Sequence, residues 1–517
     1  MDWLENRDKN KNFFLMLHHK APHRNWMPNL KHLDLYKDKQ IPVPNNLFDD
    51  FATRSKALQE QGINIDGDLY LDYDLKVPAK NKSENLPDET YFFTKEWQGD
   101  YGRMTEKQQA IWDAAYKDEN ETFRKANLKG EKCVQWKYQR YLKDYLRCIA
   151  SVDENVGRVM DYLKKNNLEE NTIVVYTSDQ GFFLGEHGLF DKRFMYEESF
   201  KMPLIMRYPK EINSASNNTE IVQNLDFAST FLDYAGVPIP EDMQGVSMRR
   251  ILNGESVDWR DAAYFHFYEY PAVGMVKRHY GIRSKRYKLI HYYYDIDEWE
   301  LFDLQKDPNE MKNVFSDPGC QAVRKEMEKK LQQVREFYQD TDEKQFLPKP
   351  RIQVKHLAIG ADVSFKQPYA KKYDGGSPNA LTDGWRAPDQ VANFSEQRVW
   401  QGFEQDDLDA TIDLKTSKEI KTIKAGFLQH IAGWIFMPES VEYSFSNDGE
   451  NFTKPFVVKN SISGKEPNAT RHNFEWQGKK VSARYIRVFA KNRCVCPDWH
   501  QGAGGKAWIF SDEVEVH

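Results

Sequence analysis

The sequence is poor in the features that mark several common classes of protein. Its five cysteines lie at positions 133, 148, 320, 494 and 496, and they form neither a disulfide framework nor a C-x-x-C zinc set. No apolar run approaches the roughly 18 residues that a membrane-spanning helix needs. The net charge of −6 gives no general basic field. We therefore expect no disulfide scaffold, no membrane span and no nucleic-acid partner.

Residues 1–20 also lack the small-residue cleavage site of a secretory signal peptide. What the sequence does have is length and aromatic residues. At 517 residues it is long enough for at least two domains, each with its own core. Aromatic residues make up 14%, with 13 Trp and 27 Tyr, which suits sugar-stacking surfaces and ordinary cores equally well.

A short apolar run at residues 173–176 is followed at once by polar side chains. The run is rich in β-branched residues and predicts a buried strand of an α/β sheet. Asp179 and Gln180 follow it, where open α/β sheets place their ligands, and both offer oxygen to a hard cation. The competing interpretation makes Asp179 a plain turn residue. The loop beyond Gly181 carries several charged or titratable side chains: Glu186, His187, Asp191, Lys192 and Arg193.

A second apolar run, residues 13–17, predicts another strand, and residues 203–208 predict the strand that follows Asp179 along the chain. The string H-H-K-A-P-H-R-N-W begins at His18 and includes Lys20 and His23. Cationic and titratable groups beyond a strand end suit anion binding. Taken singly, however, each histidine is more often a surface or packing residue than a catalytic one.

The rest of the chain divides into a mixed part and an all-β part. Apolar spacing predicts helices from Cys133 to Asn166 and from Ile221 to Gly236, and a closing helix that carries Val323 and Phe337. Residues 262–270 and 281–294 predict antiparallel strands. We place a linker at 341–360, where the prolines lie at 348 and 350. Short alternating strands and the turn Asn447-Asp448-Gly449 then predict a β-sandwich over 361–517.

The string S-D-Q-G-F-F-L-G-E-H-G-L-F-D-K, together with H-x-K-A-P-H, resembles the formylglycine-dependent sulfatases of the alkaline phosphatase superfamily. This resemblance implies an alkaline-phosphatase-like α/β/α sandwich over residues 1–340, whose portion from about 260 is a C-terminal subdomain. It implies that Asp179 and Gln180 bind Ca²⁺ and that Lys20 and Lys192 hold the sulfate. It further implies that His23 serves the leaving group and that His187 and His279 bind substrate.

Residues 361–517 resemble a discoidin, or coagulation factor 5/8 type C, domain. The resemblance rests on A-L-T-D-G-W-R near 380, W-Q-G-F-E-Q-D-D near 400 and the string from Ser446 to Phe452. It implies an all-β jelly-roll sandwich, and loops of many such domains bind sugars. Trp385, Trp434 and Trp499 are the candidate stacking residues, although a sandwich core also requires tryptophan.

The family's nucleophile comes from the Cys of a C-x-P-S-R or C-x-A-S-R motif, and none of the five cysteines lies in one. The Asp-Asp pair and the G-K-W-H segment of the family are also missing. The chain therefore resembles only the later part of the catalytic domain, without the nucleophile, and we expect it to be inactive alone. Without neighbouring strands, its sheet is expected to expose an edge and apolar surface, which predicts poor solubility or dependence on a partner.

The leading hypothesis is a sulfuric ester hydrolase of sulfated oligosaccharides or polysaccharides, with 6-O-sulfated N-acetylglucosamine as the preferred substrate. One alternative is a phosphate or phosphonate ester hydrolase of the same superfamily. The other alternative is a glycan-binding protein that does not catalyse. The resemblance implies a periplasmic or extracellular location, whereas the residues themselves indicate no compartment.

Overall fold

The computed structural model describes residues 1–78, 97–270, 274–343, 351–370, 373–389, 391, 399–500 and 502–517. Two compact units divide the chain between Thr341 and Asp342. The predicted linker overlaps this division, and its residues 344–350, with both prolines, lie outside the described residues.

Unit 1, residues 1–341, is mixed α and β. Its α-helices among the described residues are α1 (Asp2–Asn6), α2 (Lys56–Gln59), α3 (Glu106–Ala126), α4 (Glu131–Lys165), α5 (Glu197–Phe200), α6 (Asp226–Tyr234), α7 (Arg249–Leu252) and α8 (Gln321–Phe337). Its strands are β1 (Val174–Thr177), β2 (Phe183–Leu184), β3 (Phe190–Asp191), β4 (Leu204–Arg207), β5 (Ala262–Phe267), β6 (His279–Ser284), β7 (Tyr287–Tyr292) and β8 (Glu298–Asp303).

Helix α4 is the main support of unit 1. It is 35 residues long, close to the predicted span, and buries a stripe that includes Val134, Tyr138, Tyr141 and Leu142. These residues join the principal core of the unit. Because the opposite face of α4 is charged, the helix is amphipathic. Among the described residues, no helix combines the length and the apolar character that crossing a bilayer requires.

The strands around Asp179 differ from the prediction. β1 and β4 pair with each other antiparallel, with Tyr176 opposite Ile205, and they form a two-stranded sheet. β1 is half-buried to exposed rather than buried. The apolar runs were correctly located, but such a run does not encode the direction of its neighbour.

Residues 13–17 alternate in burial as a strand would, yet they form no β-ladder with the described residues. Phe13 and Leu15 pack in a cluster with Leu4, Leu163 and Val174. Phe14 and Met16 point outward and are 64% and 62% exposed. A strand is defined by hydrogen bonds to a neighbour, so an extended segment without one is not a strand.

Strands β5 to β8 form a four-stranded antiparallel meander in sequence order. Helix α8 supports this sheet, burying Met327 and Leu331. Leu289, Ile290 and Phe302 from the sheet are fully buried. The predicted antiparallel subdomain and its closing helix are therefore confirmed.

Unit 2, residues 342–517, is all-β. Its strands are β9 (Ile352–Gln353), β10 (Asp362–Phe365), β11 (Trp385–Arg386), β12 (Gln401–Glu404), β13 (Leu408–Gln429), β14 (Ser440–Ser446), β15 (Phe456–Lys459), β16 (Thr470–Ala490) and β17 (Trp508–Val516). The larger sheet has seven strands, with the order β12-β17-β13-β16-β14-β15 and β10 beside β13.

The two long strands β13 and β16 pair with each other along most of their length. Register shifts between Asp413 and Lys418 and between Ile420 and Thr422 interrupt their pairing. Before the shifts, β13 pairs with β10, and after them it pairs with β17. Alternate side chains from both parts enter one core, including Ile412 and Ile423. Such irregularities bend strands, which lets one hydrogen-bonded sheet fold over its own core.

Candidate functional site

The backbone at Gly181 fixes how the chain leaves β1 and passes Asp179. Its amide donates to the Ser199 carbonyl oxygen at 2.9 Å. A Cβ added at Gly181 would lie 2.6 Å from the Lys201 carbonyl oxygen, which is closer than atoms pack. Only glycine therefore lets α5 pass this close behind the Ser178-Asp179-Gln180 segment.

The loop from residue 183 to 193 holds three non-glycine residues at positive φ. They are His187 at 56°, Asp191 at 70° and Arg193 at 105°. Residues with side chains rarely adopt this region, and such outliers concentrate at functional sites. Gly185, at a φ of 109°, begins the turn. The surrounding structure holds this loop in a conformation that the free chain would seldom adopt.

His187 is buried and anchors the loop from inside. Its Nδ1 lies 2.7 Å from Asp49 Oδ2, and its ring meets the Tyr196 ring edge-on at 5.2 Å. Burial would raise the pKa of Asp49, but hydrogen bonds from His187 and from the Phe51 amide, with the charge of Arg54, lower it overall. In this structure His187 therefore contacts the protein interior, and substrate binding by it stays a prediction.

Trp26 ties the segment that carries Lys20 and His23 to the loop after Gln180. The indole is fully buried and donates to the Pro22 carbonyl oxygen at 2.9 Å. Its ring lies 4.4 Å from Tyr141, 6.3 Å from Phe182 and 6.4 Å from Phe190. The pairs with Phe182 and Phe190 are edge-on, and such pairs add to the stabilisation from burial alone.

Arg24 makes a second link between the same two segments. Its guanidinium donates to both carboxylate oxygens of Asp74, at 2.8 and 2.6 Å, and its Cζ lies 4.8 Å from the centre of the Phe190 ring. Burial lowers the pKa of Arg24, but the charge of Asp74 and its hydrogen bond outweigh burial and raise it. The backbone on either side of His23 is thereby fixed.

Lys192 reaches back toward the residues that follow Gln180. Its Nζ lies 5.8 Å from the centre of the Phe182 ring and 3.4 Å from Asp191 Oδ1. Phe182 also contacts Trp26, so one aromatic cluster of Trp26, Tyr141, Phe182 and Phe190 supports both segments. Lys20, His23 and Asp179 are exposed around this cluster.

His279 lies inside the four-stranded sheet and does not face solvent. Phe194, Phe265 and Tyr292 surround its ring at 5.9, 5.5 and 5.1 Å. Nδ1 contacts the Lys277 carbonyl oxygen at 2.8 Å, and Nε2 has no hydrogen-bond partner among the described residues. Burial lowers the pKa of His279 to about 4, which favours the neutral ring. Substrate binding by His279 stays a prediction.

The side chains of Asp179 and Gln180 suit part of a calcium shell. Ca²⁺ takes about six to eight oxygen ligands, and these residues offer a carboxylate and an amide oxygen. The exposed Asp179 carboxylate accepts from Ser178 Oγ at 3.2 Å. Within the described part of the chain, no group of three or more His, Cys, Asp or Glu residues could hold a metal ion. A calcium shell at these two residues would therefore need ligands other than a described cluster of those four residue types.

Asp49, Asp74 and Lys76, which support the site, were missed in the sequence. Lys76 Nζ contacts Asn25 and donates to the Tyr73 carbonyl oxygen at 2.6 Å. These residues lie in long loops without periodicity, and Asp49 is 138 positions from His187. The only sequence signal for them is the acidic character of residues 49–74, which could supply partners for the cationic string that begins at His18.

Three family models match the chain. "Sulfatase" matches residues 1–237, "N-sulphoglucosamine sulphohydrolase, C-terminal" matches residues 185–337, and "F5/8 type C domain" matches residues 365–509. An N-acetylglucosamine-6-O-sulfatase of Bacteroides thetaiotaomicron is 50% identical over 345 residues, 66% of this chain and 61% of that protein. Arylsulfatase K of Mus musculus is 32% identical over 179 residues, 34% of this chain and 32% of that protein.

A solved structure with 49% sequence identity superposes with a TM-score of 0.62 and covers 66% of this chain and 68% of its own. That protein was solved in complex with its substrate, D-glucosamine-2-N,6-O-disulfate. The chain belongs to the sulfatase family and carries an F5/8 type C domain. The predicted alkaline-phosphatase-like fold followed by an all-β domain is thus confirmed. The chain spans about three fifths of the length of the first curated relatives it matches, 61% and 58%.

Proposed function

We propose that this chain is the C-terminal part of a sulfuric ester hydrolase that acts on sulfated glycans, with 6-O-sulfated N-acetylglucosamine as the preferred substrate. The observation that carries the proposal is the aromatic cluster around Trp26 and Phe182, which supports both the Lys20–His23 segment and the Asp179–Lys192 segment. The 50% identity to an N-acetylglucosamine-6-O-sulfatase supports the substrate. An exported location is part of the same proposal.

Sulfate ester hydrolysis requires neutralisation of the sulfuryl oxygens and protonation of the leaving alcohol, and the cationic and titratable side chains suit these two roles. Lys20 and Lys192 would neutralise the sulfuryl oxygens, whose negative charge is redistributed in the transition state. His23 would donate a proton to the oxygen of the leaving alcohol. Its Nδ1 contacts the Arg24 carbonyl oxygen, which leaves Nε2 as the atom for that role.

Asp179 and Gln180 would hold Ca²⁺ together with ligands from outside the described residues. When bound, the ion supplies a Lewis acid that polarises the sulfate ester. Gly181 and α5 fix the backbone that follows these two residues.

The chain has no C-x-P-S-R or C-x-A-S-R motif, so we infer that it does not hydrolyse sulfate esters alone. A chimera tests this: the N-terminal part of the 50% identical relative, with its nucleophile, is joined before Met1. The readout is sulfate release from N-acetylglucosamine 6-sulfate. We expect an active, calcium-dependent chimera and an inactive chain.

In the chimera, His23→Ala should lower kcat by about a hundredfold or more. His18→Ala, an exposed histidine in the same string, is the matched control and should change kcat little. A folded, calcium-loaded chimera that releases phosphate but not sulfate would favour the phosphate or phosphonate ester alternative. A chimera that hydrolyses neither ester would overturn the proposal.

Unit 2 supports a second function, glycan binding. Trp434 and Trp499 are 37% and 43% exposed, although tryptophan normally buries most of its surface. His500 lies between them, with ring centres 6.5 Å and 5.9 Å away. Gly502 lies so close to the Trp434 ring that a Cβ added there would clash with the indole Nε1. Exposed aromatic faces suit pyranose rings. Trp385, the third candidate, lies in β11 with Arg351 over its ring.

The test uses the whole chain and sulfated and unsulfated N-acetyllactosamine as probes. Trp434→Ala with Trp499→Ala should abolish binding measured by calorimetry. Trp476→Phe, at a largely buried ring in the core of the unit, is the control for general loss of tryptophan. Unchanged affinity in the double variant would remove these residues from any sugar site.

A further inference from the structure

Three loops of unit 2 contact one another beside the exposed tryptophans. They join β13 to β14, β15 to β16 and β16 to β17, and they comprise residues 430–439, residues 460–469 and the described part of 491–507. The Glu439 amide donates to the Lys491 carbonyl oxygen at 3.0 Å, and the Asn460 amide donates to the Glu439 carbonyl oxygen at 3.1 Å. These backbone hydrogen bonds hold the three loops together.

Arg493, in the third loop, is positioned by an aromatic ring and has no acidic partner. Its Cζ lies 4.8 Å from the centre of the Phe436 ring, and Phe436 is buried. Its Nε is buried without a hydrogen bond, and its two terminal nitrogens make no hydrogen bond or ion pair with the described residues. Buried donors normally have a partner, so this guanidinium is unusual. It can still bind an external anion through its terminal nitrogens.

Arg484 in β16 shows the usual arrangement in the same unit. Its Cζ also lies 4.8 Å from a ring, that of Tyr485. The Arg484 guanidinium, however, donates to both carboxylate oxygens of Asp413, at 2.8 and 2.9 Å. Two cations over aromatic rings thus differ in one respect, which is that the guanidinium of Arg484 is already bound by a carboxylate.

Lys465 adds a second cation next to Arg493. It is exposed, its Nζ lies 5.6 Å from the centre of the Trp499 ring, and its ammonium forms no hydrogen bond or ion pair with the described residues. The neighbouring Gly464 lies against Arg493, since a Cβ added there would be 3.8 Å from Nη1. The rings of Phe436 and Trp499 are edge-on at 6.4 Å. We call the surface of Phe436, Lys465, Arg493 and Trp499 the Arg493 site.

The acidic side chains of the same loops do not neutralise this site. They are Glu439, Glu466 and Asp498, and none of them forms an ion pair with Lys465 or Arg493. Glu466 instead accepts hydrogen bonds from the amide and the side chain of Asn468, at 3.3 and 2.9 Å. Both cations of the Arg493 site are therefore available to a ligand.

We propose that the Arg493 site binds the sulfate group of a sulfated glycan, with the Trp499 ring against the sugar. The inference deepens the glycan binding proposed for unit 2 and rests on it. A sulfate group offers several oxygens, so it can accept from both terminal nitrogens of Arg493 while the Lys465 ammonium adds a further positive charge. Unit 2 would then bind the sulfated glycan in preference to the desulfated product, which keeps the chain on material that still carries sulfate.

The test measures binding to the whole chain by calorimetry. Every protein carries Lys20→Ala and Lys192→Ala, which remove the proposed sulfate contacts of unit 1. The probes are sulfated and unsulfated N-acetyllactosamine. We expect the sulfated probe to bind about tenfold more tightly, because a charged hydrogen bond contributes more than a neutral one. High salt should reduce this difference, because it screens the charges.

Arg493→Met keeps the aliphatic contact with Phe436 but removes the donors. It should raise Kd for the sulfated probe by about tenfold and leave Kd for the unsulfated probe unchanged. Lys465→Met should raise Kd for the sulfated probe by about threefold, because its exposed ammonium is screened by water. Arg484→Met is the matched control and should change neither Kd. Thermal unfolding checks that each variant is folded.

The outcomes separate this inference from glycan binding itself. Equal binding of the two probes to the parent, or an unchanged Kd for the sulfated probe in Arg493→Met, would overturn the sulfate site while glycan binding stands. Loss of both probes in Arg493→Met would also overturn it, because that result indicates a purely structural role. Tighter binding of N-acetyllactosamine that bears glucuronic acid in place of sulfate would assign the site to a carboxylate instead. Absence of binding of every probe to the parent would overturn glycan binding and the sulfate site together.

Discussion

Arg24 shows how a single side chain fixes the backbone beside a proposed catalytic group. Both of its hydrogen bonds to Asp74 are buried, since the Asp74 side chain is fully inaccessible and that of Arg24 nearly so. Removing one partner of such a pair leaves a buried, uncompensated charge, which costs more than the pair contributes.

Arg24→Met should therefore lower the free energy of unfolding of unit 1 by about 3–5 kcal/mol. Arg286→Met is the matched control, because Arg286 makes a similar pair with Asp303 at the surface. That variant should lose much less, because solvent screens the Arg286 pair. Urea unfolding measures the free energy of unfolding of both variants. An equal decrease in the two variants would contradict the role of burial.

Glu300 makes unit 1 sensitive to pH. Burial raises its pKa from 4.5 to about 7, against hydrogen bonds from the Ser55 amide at 2.7 Å and the Tyr196 hydroxyl at 3.1 Å. Because the folded pKa is above the unfolded one, the stabilisation is complete below pH 4.5 and is lost as the pH rises through 7.

Glu300→Gln should remove this loss, which amounts to roughly 3 kcal/mol between the two limits. The measurement is the free energy of unfolding from pH 4.5 to pH 8. Glu326→Gln, at an exposed position of α8, should leave the slope with pH unchanged. A Glu300→Gln protein with the slope of the parent would show that Glu300 does not titrate in this range.

The residues proposed to act in hydrolysis could be named from the sequence, whereas the residues that hold their segments could not. Lys20, His23, Asp179, Gln180 and Lys192 lie in two short strings and were named from those strings. Their supports, such as Asp49 and Asp74, come from unpatterned loops, and pairing across 50 or 138 positions leaves no local signature. The roles of the named residues stay predictions, because the structure shows their positions and not their chemistry.

At the scale of elements, α5 and the turn after β1 depend on one another through Gly181. Gly181→Ala would place a methyl group against the carbonyl oxygens of α5. We expect a loss of about 1–3 kcal/mol, together with weaker calcium binding in the chimera, because the backbone behind Asp179 must move.

Gly157→Ala is the control for this substitution. Gly157 lies on the exposed face of α4, with no atom within 4 Å of an added Cβ. That change should stabilise the helix by about 0.5–1 kcal/mol. The unfolding temperatures of the two variants should therefore shift in opposite directions from that of the parent. A shift of both in the same direction would contradict this explanation.

Helices were predicted more accurately than strand pairing. The spacing of apolar residues placed α4 to within two residues at each end and located α8, because the hydrogen bonds of a helix lie within the helix itself. The helix predicted for residues 221–236 is shorter in the structure and covers only Asp226–Tyr234. The strands around Asp179 depend on neighbours, which a sequence pattern does not specify. For this reason the sequence pattern predicted neither the antiparallel pairing of β4 with β1 nor the lack of a β-ladder between residues 13–17 and the other described residues.

At the scale of the whole molecule, unit 1 exposes apolar side chains beside open strand edges. Phe14, Met16 and Ile205 are 64%, 62% and 64% exposed. β1 and β4 pair only with each other among the described residues, so each has an edge free for further pairing. Apolar surface beside unpaired backbone groups favours association between molecules.

We therefore expect the chain alone to self-associate in light scattering after size-exclusion chromatography. Phe14→Lys with Met16→Lys and Ile205→Lys should reduce its mean mass at equal concentration. Phe337→Lys, at a phenylalanine of α8 that is 65% exposed, is the control and should not change the mean mass. A monodisperse parent chain that melts cooperatively would contradict this expectation.

Strand β17 occupies the interior of the larger sheet of unit 2, between β12 and β13, and every one of its residues is buried. A ribosome makes this strand after all the other strands of the unit. The larger sheet therefore cannot form completely until residues 508–516 have left the exit tunnel. Until then β12 lacks the neighbouring strand β17, and the apolar side chains of the core remain accessible to chaperones. A premature stop codon at Trp508 should thus send the product to the insoluble fraction, although it removes only a few per cent of the chain.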